Sequence, residues 1–125
     1  MLLVTAEEGS DAWRLTSYGF VHDTEHALVA PLPDGSAMEV DFDIPFEAQF
    51  DQAGLFVRVD DTRWVKTGIE YADGELNLGA VVTDGMSDWS LAPVSHWRGR
   101  RITVRVSRDG TALTVRAGAA GEPLH

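Results

Sequence analysis

The sequence predicts an all-β protein, an antiparallel β-sandwich. Three observations predict it: apolar residues recur at every second position, Asp-Gly pairs punctuate the chain, and no stretch of useful length carries apolar residues at helical spacing. The 125 residues suit one domain, residues 1–125, and a hydrophobic content of 44% is ample for a single core.

Met38, Val40, Phe42 and Ile44 alternate with Glu39, Asp41 and Asp43, the pattern of a strand with one dry face and one wet face, ended by Pro45. Ala53 to Val59 is apolar on both sides, which predicts a strand in the middle of a sheet. Trp64–Tyr71 and Leu76–Thr83 flank Ala72-Asp73-Gly74-Glu75, whose central Asp-Gly suits a type I′ hairpin. Pairing Ala72 with Glu75 sets Tyr71 against Leu76, Ile69 against Leu78, Thr67 against Ala80 and Val65 against Val82 on a core face. The opposite face then carries Trp64, Lys66, Gly68 and Glu70 beside Thr83, Val81, Gly79 and Asn77. A second hairpin is expected at the end of the chain, with Ile102, Val104 and Val106 facing Ala117, Val115 and Leu113 across Arg108-Asp109-Gly110-Thr111.

Composition excludes several classes of function. There is no cysteine, hence no disulfide, thiol nucleophile or cysteine zinc site, which fits a reducing compartment. The opening Met1-Leu2-Leu3-Val4 run has no basic flank and is too short to span a bilayer, so the expected location is cytoplasmic. Ten Lys and Arg against twenty Asp and Glu give a net charge of −10, which repels nucleic acid and anionic membrane; neither is expected as a partner. The local exception, Arg98-Gly99-Arg100-Arg101, reads as a solvated strand entrance rather than an anion site.

Several segments together resemble a known family: Asp51-Gln52-Ala53-Gly54-Leu55, Trp64-Val65-Lys66-Thr67-Gly68-Ile69-Glu70-Tyr71, and Ser87-Asp88-Trp89-Ser90, with Asp11-Ala12-Trp13-Arg14 and Tyr18-Gly19-Phe20 before them. Their order and spacing resemble the uncharacterised family, a domain of unknown function, that includes the yeast regulation-of-enolase protein. The resemblance implies a concanavalin A-like jelly roll of the lectin and glucanase superfamily, with no established activity. Relative to that family the chain looks truncated at both ends, and exposed sheet edges are therefore expected to make it dimerise or aggregate.

The candidate binding surface is the polar hairpin face, Trp64, Lys66, Glu70 and Asn77, with Arg58 on the neighbouring strand; Trp89 completes the set of candidate binding residues. An aromatic plate beside charges and amides, with space left by Gly54, Gly68 and Gly79, suits a carbohydrate. A buried Lys66–Glu70 or Arg58–Glu70 pair accounts for the same residues equally well. The expected role is thus a non-catalytic binding module whose partner is a carbohydrate or a protein. Trp13, Trp89 and Trp97 suit the core better than a binding platform.

An enzyme reading rests on Glu39, Asp41 and Asp43, which loosely resemble the acidic strand of concanavalin-like glucanases; same-face neighbours on a strand start about 6.8 Å apart, within reach of a two-carboxylate mechanism. The same three acids also describe an ordinary solvated strand face. Neither a metal nor a cofactor is expected. His22 and His26 are four apart in what reads as a turn rather than a helix, and the acids at Asp60, Asp61, Asp73, Asp84 and Asp88 match no calcium-loop spacing. Nucleophile-elbow and phosphate-loop motifs are absent as well.

Overall fold

The computed structural model describes residues 12–14, 21–23 and 30–125. Strands β1 (Ala12–Arg14) and β2 (Val21–Asp23) pair as a short antiparallel ribbon. The rest forms two antiparallel sheets. One has three strands in the order β3-β8-β9, where β3 is Ala37–Phe42, β8 Ile102–Asp109 and β9 Ala112–Ala119. The other has four in chain order, β4 (Gln52–Asp60), β5 (Arg63–Ala72), β6 (Glu75–Asp84) and β7 (Met86–Pro93). β3 and β8, neighbours in one sheet, enclose the whole other sheet between them in sequence. The all-β antiparallel sandwich expected from period-2 patterning is the observed architecture.

Its core lies between the sheets. Leu55, Ile69 and Leu76 from the four-stranded sheet meet Ile102, Val104, Val106, Ala117 and Ala119 from the three-stranded one, all at most 9% exposed. Met38, Val40 and Phe42 pack against this cluster from β3. Burying each of the fully covered Leu, Ile and Val side chains stabilises the fold by about 1.5–3 kcal/mol before entropy is counted. A 3₁₀ turn, Ser95–Trp97, closes one end by inserting Trp97, 5% exposed.

The β5–β6 hairpin has the register expected from its turn, from Ala72 opposite Glu75 to Trp64 opposite Thr83. Asp73 and Gly74 both take positive φ, 53° and 81°, as a type I′ turn requires. The second hairpin differs from expectation. Its turn is Gly110-Thr111, so Ile102 faces Ala119, Val104 faces Ala117 and Val106 faces Val115, a shift of two residues. Only Gly110 of that pair has positive φ, 60°, the glycine-first pattern of a type II′ turn. A two-residue shift keeps every side chain on its expected face, so the core is unchanged.

Three further expectations need correction. β3 ends at Phe42, opposite the first residue of β8, although Ile44 beyond it still reaches the core at 6% exposure. Among the described residues β4 is the outermost strand of its sheet rather than a central one; it is apolar on both sides because Leu55 and Val57 face the core while Phe56 packs behind it. The glycines of the outer face do not leave binding space. A Cβ on Gly68 would stand 2.1 Å from the Ala53 carbonyl oxygen and 2.7 Å from the Gly54 Cα, and one on Gly79 would meet Leu91 Cδ2 at 2.7 Å. β4 and β5 thus touch backbone to backbone, and Leu91 fills the room above Gly79.

The outer side of β9 is partly covered, since Ala117 and His125 exchange backbone hydrogen bonds of 3.2 and 3.0 Å. That blunts one of the exposed edges on which dimerisation was expected.

Gly68→Ala is expected to push β4 and β5 apart and to cost about 1–3 kcal/mol or more, the range for overpacking a site that cannot relax. Urea denaturation followed by tryptophan fluorescence measures it, and an unchanged midpoint would contradict the close-contact account.

Candidate functional site

The six candidate residues do share one face, in cross-strand rows set by the ladder. Arg58, Trp64, Thr83 and Ser87 form one row, followed by Phe56, Lys66, Val81 and Trp89. Next come Gly54, Gly68, Gly79 and Leu91, and then Gln52, Glu70, Asn77 and Pro93.

Trp64 is not presented to solvent. It is 3% exposed and clusters with Val81, Phe56 and Trp89, its ring 5.2 Å from that of Phe56. The Thr83 and Ser87 hydroxyls bond each other beside it at 2.8 Å, also buried. A sugar-binding plate has to be reachable, so Trp64 serves packing. Asn77 is likewise committed, its 6% exposed amide donating to the Glu75 carbonyl at 3.1 Å within the hairpin that carries it. Arg58 pairs with Asp61 across the β4–β5 turn. Trp89 meets Phe50 edge to face at 6.1 Å. Lys66 and Glu70 lie half-buried on either side of Gly68. Of the six, then, two are structural, and four remain at least partly open to solvent.

The acids of the enzyme reading lie on the outer face of the three-stranded sheet, and each is matched across the ladder. Arg105 Nε donates to Glu39 at 2.7 Å, the Thr103 hydroxyl to Asp41 at 2.6 Å, and Arg101 to Asp43 at 3.2 and 3.3 Å. The hydrogen bond from Arg101, helped by its charge, holds the Asp43 carboxyl below its ordinary range. A general acid of a glycosidase needs the opposite shift.

The arginine cluster is also internally matched. Arg98 stacks over the Tyr71 ring at 5.6 Å, Arg100 pairs with Glu122 and donates to the Ala120 carbonyl at 3.0 Å, and Arg101 is held by Asp43. No group of three metal-ligating side chains comes together among the described residues. His22 falls in β2, as a strand residue, while His26 and the side chain of Trp13 lie outside the described residues.

The structure also exposes a surface that patterning assigned to the core. Val57, Val65 and Val82 are cross-strand neighbours on the inner face, yet only Val57 packs against the core. Val82 is 52% exposed, Met86, which sits opposite Asp84 on the same face, is 56% exposed, and Val59, at the register irregularity of β4, is 69% exposed. The cause is length. β5 and β6 have 10 residues each, whereas β3 has 6 and β8 and β9 have 8, so the shorter sheet leaves the far end of the longer one uncovered. Alternation reports the face of a strand, not the extent of the sheet opposite; unequal strand lengths were the available signal.

Carboxylates rim this shelf. Asp60 and Asp61 lie in the β4–β5 turn, Asp84 ends β6, and Asp88 sits opposite Val82 on β7. Asp60 accepts from Arg63 Nε at 2.7 Å and from the Thr62 backbone N–H at 2.9 Å. Those bonds, the arginine's first, draw its pKa down from 3.8 to about 2.

Fold and surface together define an all-β sandwich domain with an uncovered apolar strip on one sheet. Comparison with known proteins places it further. The chain belongs to the family described as "Protein of unknown function (DUF1349)", which it matches over residues 1–125. It is 37% identical over 113 residues to "Regulation of enolase protein 1" of Saccharomyces cerevisiae, a match covering 90% of this chain and 57% of that protein. An uncharacterised protein of Emericella nidulans is 35% identical over 83 residues, 63% of this chain and 41% of the relative. The chain thus spans roughly half the length of these relatives. A crystal structure of a functionally unknown Saccharomyces cerevisiae protein superposes with a TM-score of 0.77 at 34% identity, covering 93% of this chain and 62% of that one. No helix among the described residues is long and apolar enough to cross a membrane.

Because the folded-state pKa of Asp60 is depressed, its ion pair supports the fold above pH 3.8 and that support disappears as pH falls through about 2. Carboxyl NMR titration should find Asp60 at the low value, and Arg63→Ala should return it toward 3.8. A titration unchanged by that substitution would contradict the assignment.

Proposed function

We propose that this chain is a non-catalytic, protein-binding module. The observation that supports this reading is the apolar strip of Val59, Val82 and Met86 on a sheet whose other large apolar side chains are mostly covered. Large exposed apolar side chains gathered at one end of a sheet among polar residues mark interaction sites. The printed name of the yeast relative, regulation of enolase, is consistent with a protein partner. Catalysis by Glu39, Asp41 and Asp43 is disfavoured by their pairing with Arg105, Thr103 and Arg101.

A carbohydrate ligand on the outer face is the second reading, favoured by the half-buried Lys66, Glu70 and Trp89 around Gly68 and weakened by the burial of Trp64. A glycan array read by tryptophan fluorescence separates the two. Saturable sugar binding abolished by Lys66→Ala with Glu70→Ala would establish the carbohydrate module.

For the protein-binding reading, the partner to try first is the enolase of the same organism. Calorimetric titration should give saturable binding that Val82→Asn weakens about tenfold, the effect of losing about 1.4 kcal/mol of apolar contact. No binding removes enolase as the partner, and binding indifferent to the substitution removes the strip as its site.

A further inference from the structure

Resting on the protein-binding reading, we infer that the strip takes an apolar segment flanked by lysine or arginine on a partner protein. Its exposed apolar side chains are the stiff, β-branched Val82 and Val59 and the adaptable Met86, all more than half exposed, with Arg63 and Asp84 set between the β4 end and Met86, a surface that accepts aliphatic side chains without demanding one shape. Its rim sets the sign of the partner. Asp60, Asp61, Asp84 and Asp88 face two guanidinium groups, and both are already engaged: Arg63 pairs with Asp60, and Arg58 pairs with Asp61. Asp84 lies opposite Arg63 and feels its charge, but Arg63 makes its close ion pair with Asp60, and Asp88 has no ion pair among the described residues.

A second copy of this chain fits poorly here. Each copy would bring the same acids to the contact, and each carries a net charge of −10, so self-association at the strip sets like charges against one another. A cationic segment instead neutralises Asp84 and Asp88 while its aliphatic residues cover Val82 and Met86. Exposed charges at such a rim act mainly on encounter and partner choice, so the interaction is strongly weakened by salt.

The test uses two synthetic peptides sharing a Val-Leu-Val centre, one with Lys and Arg flanks and the other with Glu and Asp flanks, followed by fluorescence anisotropy on the whole chain. The cationic peptide should bind and lose about tenfold in affinity when salt rises from ~50 to ~500 mM, and the acidic peptide should not bind. Asp84→Asn with Asp88→Asn should weaken the cationic peptide about fivefold, as should Val82→Asn. All three positions are exposed, so the variants keep the core, and far-UV circular dichroism checks that they do.

Equal binding of both peptides, or indifference to the Asp84 and Asp88 substitutions, overturns the cationic preference; if Val82→Asn still weakens enolase or peptide, the protein-binding reading survives. Failure of both peptides to bind overturns the inference, and the enolase titration then decides the broader reading alone. A concentration-dependent dimer in sedimentation velocity, lost in Val82→Asn, assigns the strip to a second copy and also overturns it.

Discussion

Asp73 and Gly74 stand at the tip of the longest hairpin with both φ angles positive, and the register of β5 against β6 descends from that turn. Since side chains alternate with period 2, a slip by one residue would exchange the two faces of the hairpin entirely. Ile69, Tyr71, Leu76 and Leu78 would then leave the core, and Lys66, Glu70 and Asn77 would enter it. The registers of β4 and β7 are referred to this pair through their own ladders. One two-residue turn therefore decides which residues can form a core and which surface is left for a partner.

Close contact reinforces the same register. Gly54 and Gly68 are directly opposed, and the backbone of β4 approaches β5 so nearly that neither position has room for a Cβ. Only a register that sets glycine against glycine tolerates such an approach. The three-stranded sheet is held differently, by a row of charge-assisted contacts on its wet face. Glu39 and Asp41 on β3, and Asp43 just beyond it, meet Arg105, Thr103 and Arg101 on or beside β8. Each contact is exposed and contributes modestly, but together they align two strands about sixty residues apart in sequence.

A surface free for binding arises here from unequal coverage. The four-stranded sheet is longer than its three-stranded partner, so the inner face continues past the core as an apolar strip. The outer face, by contrast, spends Trp64, Val81, Thr83, Ser87 and Asn77 on internal packing and hydrogen bonding. Functional surface and core thus share one alternation pattern and differ only in whether something lies across them.

Local chemistry determined a great deal: the strand class, the Asp73-Gly74 turn, the full β5–β6 register and the membership of both faces. Each depends on neighbours within one hairpin, where propensity and periodicity act directly. The second hairpin was less legible, because Asp109-Gly110 offers both an Asp-Gly and a Gly-Thr turn, and the choice between them preserves every face. Which side chains ended up covered was settled by tertiary structure alone. Trp64 became buried and Val82 exposed although both sit on strands read correctly, because burial depends on where the opposing layer lies and how far it extends, which no local pattern encodes.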